Sequence, residues 1–169
     1  MLLELRDVTV EYPTPGRDAG TLKALDHLSL SVGSGEAVCI IGPSGCGKST
    51  ALRLASGLAK PTEGEVLAHG ERITGPRDDC ALILQDYGLL PWMNVYKNAE
   101  LGLSVRGIEK EERRRRTLEA LERVGLAGFE KAWPSELSGG MQQRLALARA
   151  VAMQADLLLM DEPLSALDA

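Results

Sequence analysis

Residues 42–49 read G-P-S-G-C-G-K-S, a glycine-rich turn that lies between an apolar run and a helical pattern. The run before it, residues 37–41, is short, apolar and partly β-branched, whereas residues 48–52 begin a helical pattern. A strand, a glycine loop and a helix start bring free backbone N–H groups and the positive end of the helix dipole together. The sequence therefore predicts a phosphate-binding loop that takes a nucleoside triphosphate.

The residue types in this loop suit that role. Glycine at positions 42, 45 and 47 permits backbone angles and a close approach that a Cβ atom would block. Lys48 is placed to reach the β and γ phosphates, and the Ser49 hydroxyl to ligate Mg²⁺. A glycine-rich turn with a functionless lysine is the alternative, and the strand before and helix after disfavour it. The predicted nucleotide contacts are Gly42, Pro43, Ser44, Gly45, Cys46, Gly47, Lys48, Ser49 and Thr50.

Composition limits the remaining classes. A chain of 169 residues with 44% hydrophobic and 25% charged residues is typical of one globular domain. Its net charge of -5 argues against a dedicated nucleic-acid partner. Three cysteines without metal-ligand spacing indicate reduced thiols in a cytosolic protein. Residues 1–6 lack the basic and apolar pattern of a secretory leader, so we expect none; no apolar run in the sequence is long enough to span a bilayer.

The order of patterns predicts an α/β architecture. Alternating apolar residues in the first 35 positions indicate an antiparallel β-layer, and residues 65–68 and 81–84 indicate further strands. From Asn94 the pattern becomes helical, and residues 109–124 predict a helix with acid-first pairs four residues apart. Those expected pairs are Glu109/Arg113, Glu111/Arg115 and Glu112/Arg116. They favour a solvated helix face over a nucleic-acid contact for the arginine run.

Residues 156–160 predict a buried strand that delivers Asp161 and Glu162 at its carboxyl end, where ligands bind in open α/β sheets. An acid in this position holds Mg²⁺ opposite Ser49, and a second acid deprotonates the attacking water. A solvated acidic turn is the alternative, which the phosphate loop in the same chain disfavours.

Residues 137–144 read L-S-G-G-M-Q-Q-R and predict a second helix start suited to an anion, with Ser138 as its N-cap and the helix running to about Met153. One triphosphate needs only one phosphate loop, so the second helix start is expected to serve a nucleotide bound to another copy. With this L-S-G-G signature, the chain resembles the ATP-binding subunit of an ABC transporter along its whole length.

The resemblance implies a P-loop NTPase (RecA-like) core with an antiparallel β subdomain and an inserted helical subdomain. Residues 1–169 would form a single ATP-binding domain, with residues 1–86 and 137–169 as core plus β-layer and residues 87–136 as the helical subdomain. The last strands of the family fold, and its switch histidine, would be missing after Ala169. We therefore expect this stretch to be an incomplete cassette with little turnover.

Individual residues acquire roles by position. Tyr12 resembles the aromatic that stacks on adenine, although an exposed strand tyrosine is the alternative. The resemblance makes Glu162, Lys48 and Gln85 catalytic and makes Ser49, Gln85 and Asp161 the metal site. The expected contacts in trans are Ser138, Gly139, Gly140 and Asp168. The implied cofactors are ATP and Mg²⁺.

The string from Leu89 to Val95, L-L-P-W-M-N-V, resembles the importer ATPases for nitrate, sulfonates and taurine. It predicts a contact with a transmembrane permease, unless Trp92 packs within the helical subdomain instead. The implied partners are a second copy, as a homodimer, and that permease. The chain would lie on the cytoplasmic face of the membrane through the permease alone, with no nucleic acid bound.

Three other functions are alternatives to import. A chromosome or repair ATPase is nearly excluded, since no heptad run separates Lys48 from Ser138. A non-catalytic nucleotide-binding remnant and a soluble ABC ATPase acting on the ribosome stay open.

Overall fold

The computed structural model describes residues 1–14 and 20–162. The chain divides into two compact units, Met1–Arg77 and Asp78–Ala169. Among the described residues, no helix is both long and apolar enough to cross a bilayer.

The first unit is built on a four-stranded antiparallel sheet in the order β2-β1-β3-β4. Its strands are β1 (Leu3–Pro13), β2 (Thr21–Val32), β3 (Glu63–Ala68) and β4 (Glu71–Arg72). Helix α1 (Lys48–Ala55) completes the unit and buries Ala51, Leu54 and Ala55. The predicted antiparallel β-layer is thus confirmed.

A bulge explains how β1 keeps its apolar side chains in the core. Leu5 and Val8 are both buried, yet a spacing of three would place them on opposite faces of a regular strand. The register between β1 and β2 shifts between these residues, where Asp7 has a φ of 51°. An extra residue resets the alternation, so both apolar side chains point inward.

The predicted strand at residues 37–41 is wrong for this structure. Residues 36–43 have no regular secondary structure, and Val38, Ile40 and Ile41 are exposed. An apolar run becomes a strand only when a neighbour pairs with its backbone groups. Within the described ranges no strand pairs with this run, so its pattern alone does not fix its conformation.

Over its described residues, 78–162, the second unit combines a two-stranded parallel sheet with three long helices. The strands are β5 (Cys80–Ile83) and β6 (Leu157–Met160), paired from Cys80↔Leu157 to Ile83↔Met160. The helices are α2 (Val95–Val105), α3 (Lys110–Arg123) and α4 (Gly139–Ala152), with a 3₁₀ turn at Pro134–Glu136. In the part of the chain described, β6 has a neighbour on one side only, and Leu158 and Met160 are exposed.

Helix α4 packs on both halves of the second unit. Leu145, Ala148 and Ala152 join a buried cluster with α2 and α3, whereas Ala146 and Ala150 pack against β5. Small residues on the second face allow the strand to approach closely. The helix is thereby held as a rigid element between the helical cluster and the parallel sheet.

The ion pairs on α3 differ from the predicted set. Arg116 bonds Glu112 at 2.6 Å as predicted, but Arg115 bonds Glu112 and Glu119, and Arg113 bonds Glu100 of α2. Glu109 lies before the helix and caps it by accepting from two backbone N–H groups. Spacing alone does not distinguish a capping carboxylate from a pairing one, because both stand one turn before an arginine.

Candidate nucleotide-binding site

The phosphate loop leads into α1 through two glycines in the left-handed region. Gly45 has a φ of 82° and Gly47, the N-cap of α1, a φ of 93°. A Cβ atom at Gly47 would lie 2.3 Å from the carbonyl oxygen of Ala24 on β2. Only glycine therefore fits here, and a glycine N-cap leaves the first N–H groups of the helix without a side-chain acceptor. An anion is the natural partner for those groups.

Lys48 folds back over the loop. Its Nζ donates to the carbonyl oxygens of Gly42 and Pro43, both at 3.0 Å. These contacts hold the ammonium group against the backbone of the loop, and its role towards a phosphate stays a prediction. Ser49 and Thr50 follow in the first turn of α1 and are half-buried.

Tyr12 lies near the end of β1 and pairs in register with Leu22 of β2. Its side chain is 39% exposed. Gly47 approaches β2 at Ala24, two residues from Leu22, so the phosphate loop and Tyr12 share one end of the same sheet. This placement suits a ring that stacks on a base, a role that stays a prediction.

In the second unit, parallel pairing brings Gln85 and Glu162 together. Gln85 follows β5 and Glu162 follows β6, and the side-chain Nε2 of Gln85 donates to Oε2 of Glu162 at 3.1 Å. Asp161 is fixed by its backbone N–H, which donates to the carbonyl oxygen of Ile83 at 2.9 Å. Glu162 adopts a φ of 47°, uncommon for a residue with a side chain.

The second predicted helix start is present. Ser138 caps α4, and its hydroxyl accepts from the backbone N–H of Met141 at 3.3 Å. Ser138, Gly139 and Gly140 are exposed, and a Cβ atom on either glycine would meet nothing within 4 Å. The start of α4 is therefore exposed, and its contact with a ligand in trans stays a prediction.

The predicted residues divide between the two units. Tyr12 and the phosphate loop lie in the first, whereas Gln85, Asp161, Glu162 and Ser138 lie in the second. Asp168 lies outside the described residues. A shared metal at Ser49, Gln85 and Asp161 therefore stays a prediction, as do the subdomain boundaries.

The segment from Leu89 to Val95 presents Trp92 to solvent, with 69% of its side chain exposed. The alternative in which Trp92 packs within the helical subdomain is therefore wrong. Leu89 instead packs on the helical core. Asn98, fully buried in α2, holds the segment from below: its Oδ1 accepts from Leu90 N–H, and its Nδ2 donates to the carbonyl oxygens of Leu90, Met93 and Asn94.

Sequence reasoning missed Asn98 and Arg149. Asn98 is a polar residue beside Ala99 on the apolar stripe of α2, which also carries Val95 and Leu103. A polar residue in such a stripe is buried and needs hydrogen-bond partners, which is a signal that periodicity contains. Arg149 carries no comparable signal, because charged residues in a last helical turn are common.

A family model described as ABC transporter matches residues 25–165. The chain belongs to the ABC transporter family. The matched stretch contains the phosphate loop, Gln85, the L-S-G-G signature and the acidic pair, so each of these lies within the family's own pattern.

Several ABC relatives are 47–49% identical to this chain over the aligned residues. A taurine import ATP-binding protein of Burkholderia pseudomallei is 49% identical over 150 residues, which are 89% of this chain and 58% of that protein. A nitrate import ATP-binding protein of Synechocystis is 47% identical, over 88% and 56% respectively. An uncharacterized ABC transporter ATP-binding protein of Methanocaldococcus jannaschii is 49% identical, over 88% and 55%. The chain thus spans little more than half the length of these relatives.

The ABC fold is also that of solved structures. The ATP-binding cassette MJ0796, in a dimeric post-hydrolysis state bound to ADP and Pi, superposes with a TM-score of 0.86 and is 37% identical. The match covers 99% of this chain and 76% of that one. The predicted fold class, a P-loop cassette with an antiparallel β-layer, is confirmed.

Proposed function

We propose that this chain supplies the nucleotide-binding and hydrolytic part of an ATPase that powers the import of a small solute. The observation that carries the proposal is the phosphate loop: left-handed glycines, a helix start without a side-chain cap, and a lysine held over the loop. A triphosphate offers enough anionic oxygens to bond the helix N–H groups and the Lys48 ammonium group together.

Each residue has a proposed part in hydrolysis. Lys48 neutralises the charge that develops on the γ-phosphate, and Glu162 accepts the proton of the attacking water. Gln85 orients that water and the carboxylate to which it donates a hydrogen bond. Mg²⁺, when bound through Ser49 and Asp161, would supply further charge neutralisation between the phosphates. Hydroxyl, carboxylate and amide oxygens are the donors that this cation prefers, so the residues present fit it.

Nucleotide binding is tested by replacing Lys48 with alanine. We expect the affinity for an ATP analogue to fall at least tenfold, because a charged hydrogen bond contributes about 1.5–3 kcal/mol. Lys60→Ala is the matched control: Lys60 is an exposed lysine beyond the end of α1. Equal affinity in the Lys48 variant and the control would refute the site.

A dimer with sites shared between two copies explains the exposed start of α4. In this arrangement Ser138 and Gly140 of one copy face the γ-phosphate held by the phosphate loop of the other, and Asp168 contacts the other copy. Mixing inactive Lys48→Ala and Ser138→Arg forms of the intact protein tests it. A mixed dimer keeps one site with both parts intact, so part of the hydrolysis returns. Recovery would not occur if each site belonged to one copy.

A permease is proposed as the second partner, docking at the segment from Leu89 to Val95, in which Pro91 and Trp92 are exposed. The support is the exposed Trp92 on a segment that Asn98 holds in place. Import of a small solute such as nitrate, a sulfonate or taurine is proposed from the sequence of this segment and from the names of the relatives. Loss of ATP-dependent uptake on Trp92→Ala, with hydrolysis by the purified protein unchanged, is the expected result. Unchanged uptake would contradict the docking role.

A further inference from the structure

The turn after Gln85 has a backbone conformation that needs support. Tyr87 and Gly88 both lie in the left-handed region, with φ angles of 64° and 54°. For a bulky residue such as Tyr87 this conformation is disfavoured by contact between Cβ and the backbone. Such a residue persists only where its surroundings hold it.

Arg149 supplies that support from helix α4. Its guanidinium donates to the carbonyl oxygen of Tyr87 at 2.6 Å and to that of Gly88 at 2.7 Å. Burial lowers the pKa of Arg149, and the charge of Asp86 opposes that effect. A planar guanidinium satisfies two adjacent carbonyl groups at once, which a lysine ammonium does less well.

The turn that Arg149 holds follows directly after Gln85. Gln85 is two residues before Tyr87, and on its other side the chain is fixed by the pairing of β5 with β6. The side chain of Gln85 donates to Glu162 at 3.1 Å. With the strand on one side and Arg149 on the other, the short connection has little freedom to move away from Glu162.

We propose that Arg149 is a positioning residue, which holds Gln85 in hydrogen-bonding contact with Glu162 by clamping the carbonyl groups of Tyr87 and Gly88. The inference rests on the proposed function for the roles of Gln85 and Glu162 in hydrolysis, but the clamp itself depends only on the contacts above. Ser138 caps α4, the helix that also carries Arg149. Because α4 is packed on both faces, a ligand contact at Ser138 and the hydrogen bonds of Arg149 act on the same rigid element.

The test follows the side-chain amide of Gln85 by NMR in the 169-residue chain. Its resonance position is recorded in the wild type and in Glu162→Ala, where the carboxylate acceptor is gone, to define the bonded and released positions. We expect Arg149→Met to move the resonance most of the way to the released position, and Arg149→Lys to move it part of the way. Methionine has a similar length and no donor, so it fills the space without replacing the clamp.

Arg144→Met is the matched control. Arg144 also lies on α4 and donates to backbone carbonyls, those of Val124 and Gly125, so it is the same kind of clamp on another segment. We expect it to leave the Gln85 resonance in place. The proposal would be overturned if the Gln85 resonance stayed at the bonded position in both Arg149 variants. It would also be overturned if Arg144→Met moved that resonance as far as Arg149→Met does. If Arg149→Met does not fold, Arg149→Lys alone decides, since lysine keeps the charge and one donor.

Kinetics of the intact protein separate this inference from the proposed function. Arg149→Lys should lower kcat several-fold with KM for ATP unchanged, and the loss should vanish in a Gln85→Ala background, because the clamp acts through Gln85. Equal losses in both backgrounds would overturn the inference while leaving the ATPase assignment intact. Absence of hydrolysis in the wild type would instead contradict the proposed function, and the resonance of Gln85 would still decide the clamp.

Discussion

Replacing Asn98 with alanine removes the polar group that holds the segment after Gln85 to the helical core. Asn98 is fully buried and makes four side-chain hydrogen bonds, all to the backbone between Leu90 and Asn94. Two of the acceptor oxygens also receive a hydrogen bond from a backbone N–H group. Leu90 O also accepts from Met93 N–H at 3.1 Å, and Asn94 O from the backbone N–H of Asn98 at 2.9 Å.

The expected cost follows from the two groups that lose their hydrogen bond. Among the described residues, Leu90 N–H and Met93 O bond only to Asn98. An unsatisfied buried polar group costs about 1–3 kcal/mol, so the loss of both gives about 2–6 kcal/mol. Alanine is the better helix former by about 0.5 kcal/mol, which offsets part of it. Water that enters the space left by the side chain would satisfy part of the hydrogen bonding that is lost. We therefore expect Asn98→Ala to lower the free energy of unfolding by about 2–4 kcal/mol.

Urea unfolding followed by tryptophan fluorescence measures the loss in free energy of unfolding of the second unit. The two tryptophans, Trp92 and Trp133, both belong to the second unit. Trp92 lies in the segment that Asn98 holds. The signal therefore reports unfolding of the unit that contains the substitution, without a contribution from the first unit.

Asn94→Ala on the same helix is the matched control. The Asn94 side chain caps α2 through one bond, from Lys97 N–H at 2.9 Å, and it lies near the surface. Loss of such a cap costs about 1 kcal/mol. If Asn98→Ala lost no more free energy of unfolding than Asn94→Ala, the buried hydrogen bonds would not hold the segment as argued.

Three further perturbations have definite expected outcomes. Gly47→Ala should weaken binding of an ATP analogue at least tenfold, measured by titration calorimetry, because a Cβ at φ 93° would meet a β2 carbonyl at 2.3 Å; unchanged affinity would contradict the loop geometry. Leu121→Ala should lower the free energy of unfolding, measured in urea, by about 2–5 kcal/mol, because Leu121 is fully buried. Leu118 is more exposed, and Leu118→Ala should cost under about 1 kcal/mol. Equal losses in the two variants would show that Leu121 is not part of the core. Hydrogen bonds from Arg115, then from a second arginine, hold the pKa of Glu112 at about 2 against an ordinary 4.5. This stabilisation is present above pH 4.5 and is lost as the pH falls towards 2. The unfolding temperature of Glu112→Gln should therefore change less between pH 4.5 and pH 2 than that of the wild type. If both unfolding temperatures fell equally over this range, the ion pairs of Glu112 would contribute nothing to stability.

Much of the architecture was predictable because it depends on local pattern. The alternation in β1, the apolar run of β6 and the serine cap of α4 each specify their element through neighbours in sequence. The juxtaposition of Gln85 with Glu162 was implied once both were placed after parallel strands. Contacts made by side chains across elements were not predictable in this way. The partner of Arg113 is Glu100 on another helix, and no spacing rule along α3 selects it.

Sequence patterns alone specify the local elements of the candidate site: a glycine loop with its lysine, an acidic pair after a strand, and a second helix start capped by Ser138. These follow from short-range constraints, since a left-handed turn or a helix cap is decided by a few consecutive residues. Two other features depend on contacts between distant parts of the chain: residues 37–41 form no strand, and Arg149 bonds the carbonyl groups of Tyr87 and Gly88. Strand pairing and buried hydrogen bonds depend on groups far apart in the chain, and their free energy is gained only when packing brings those groups together.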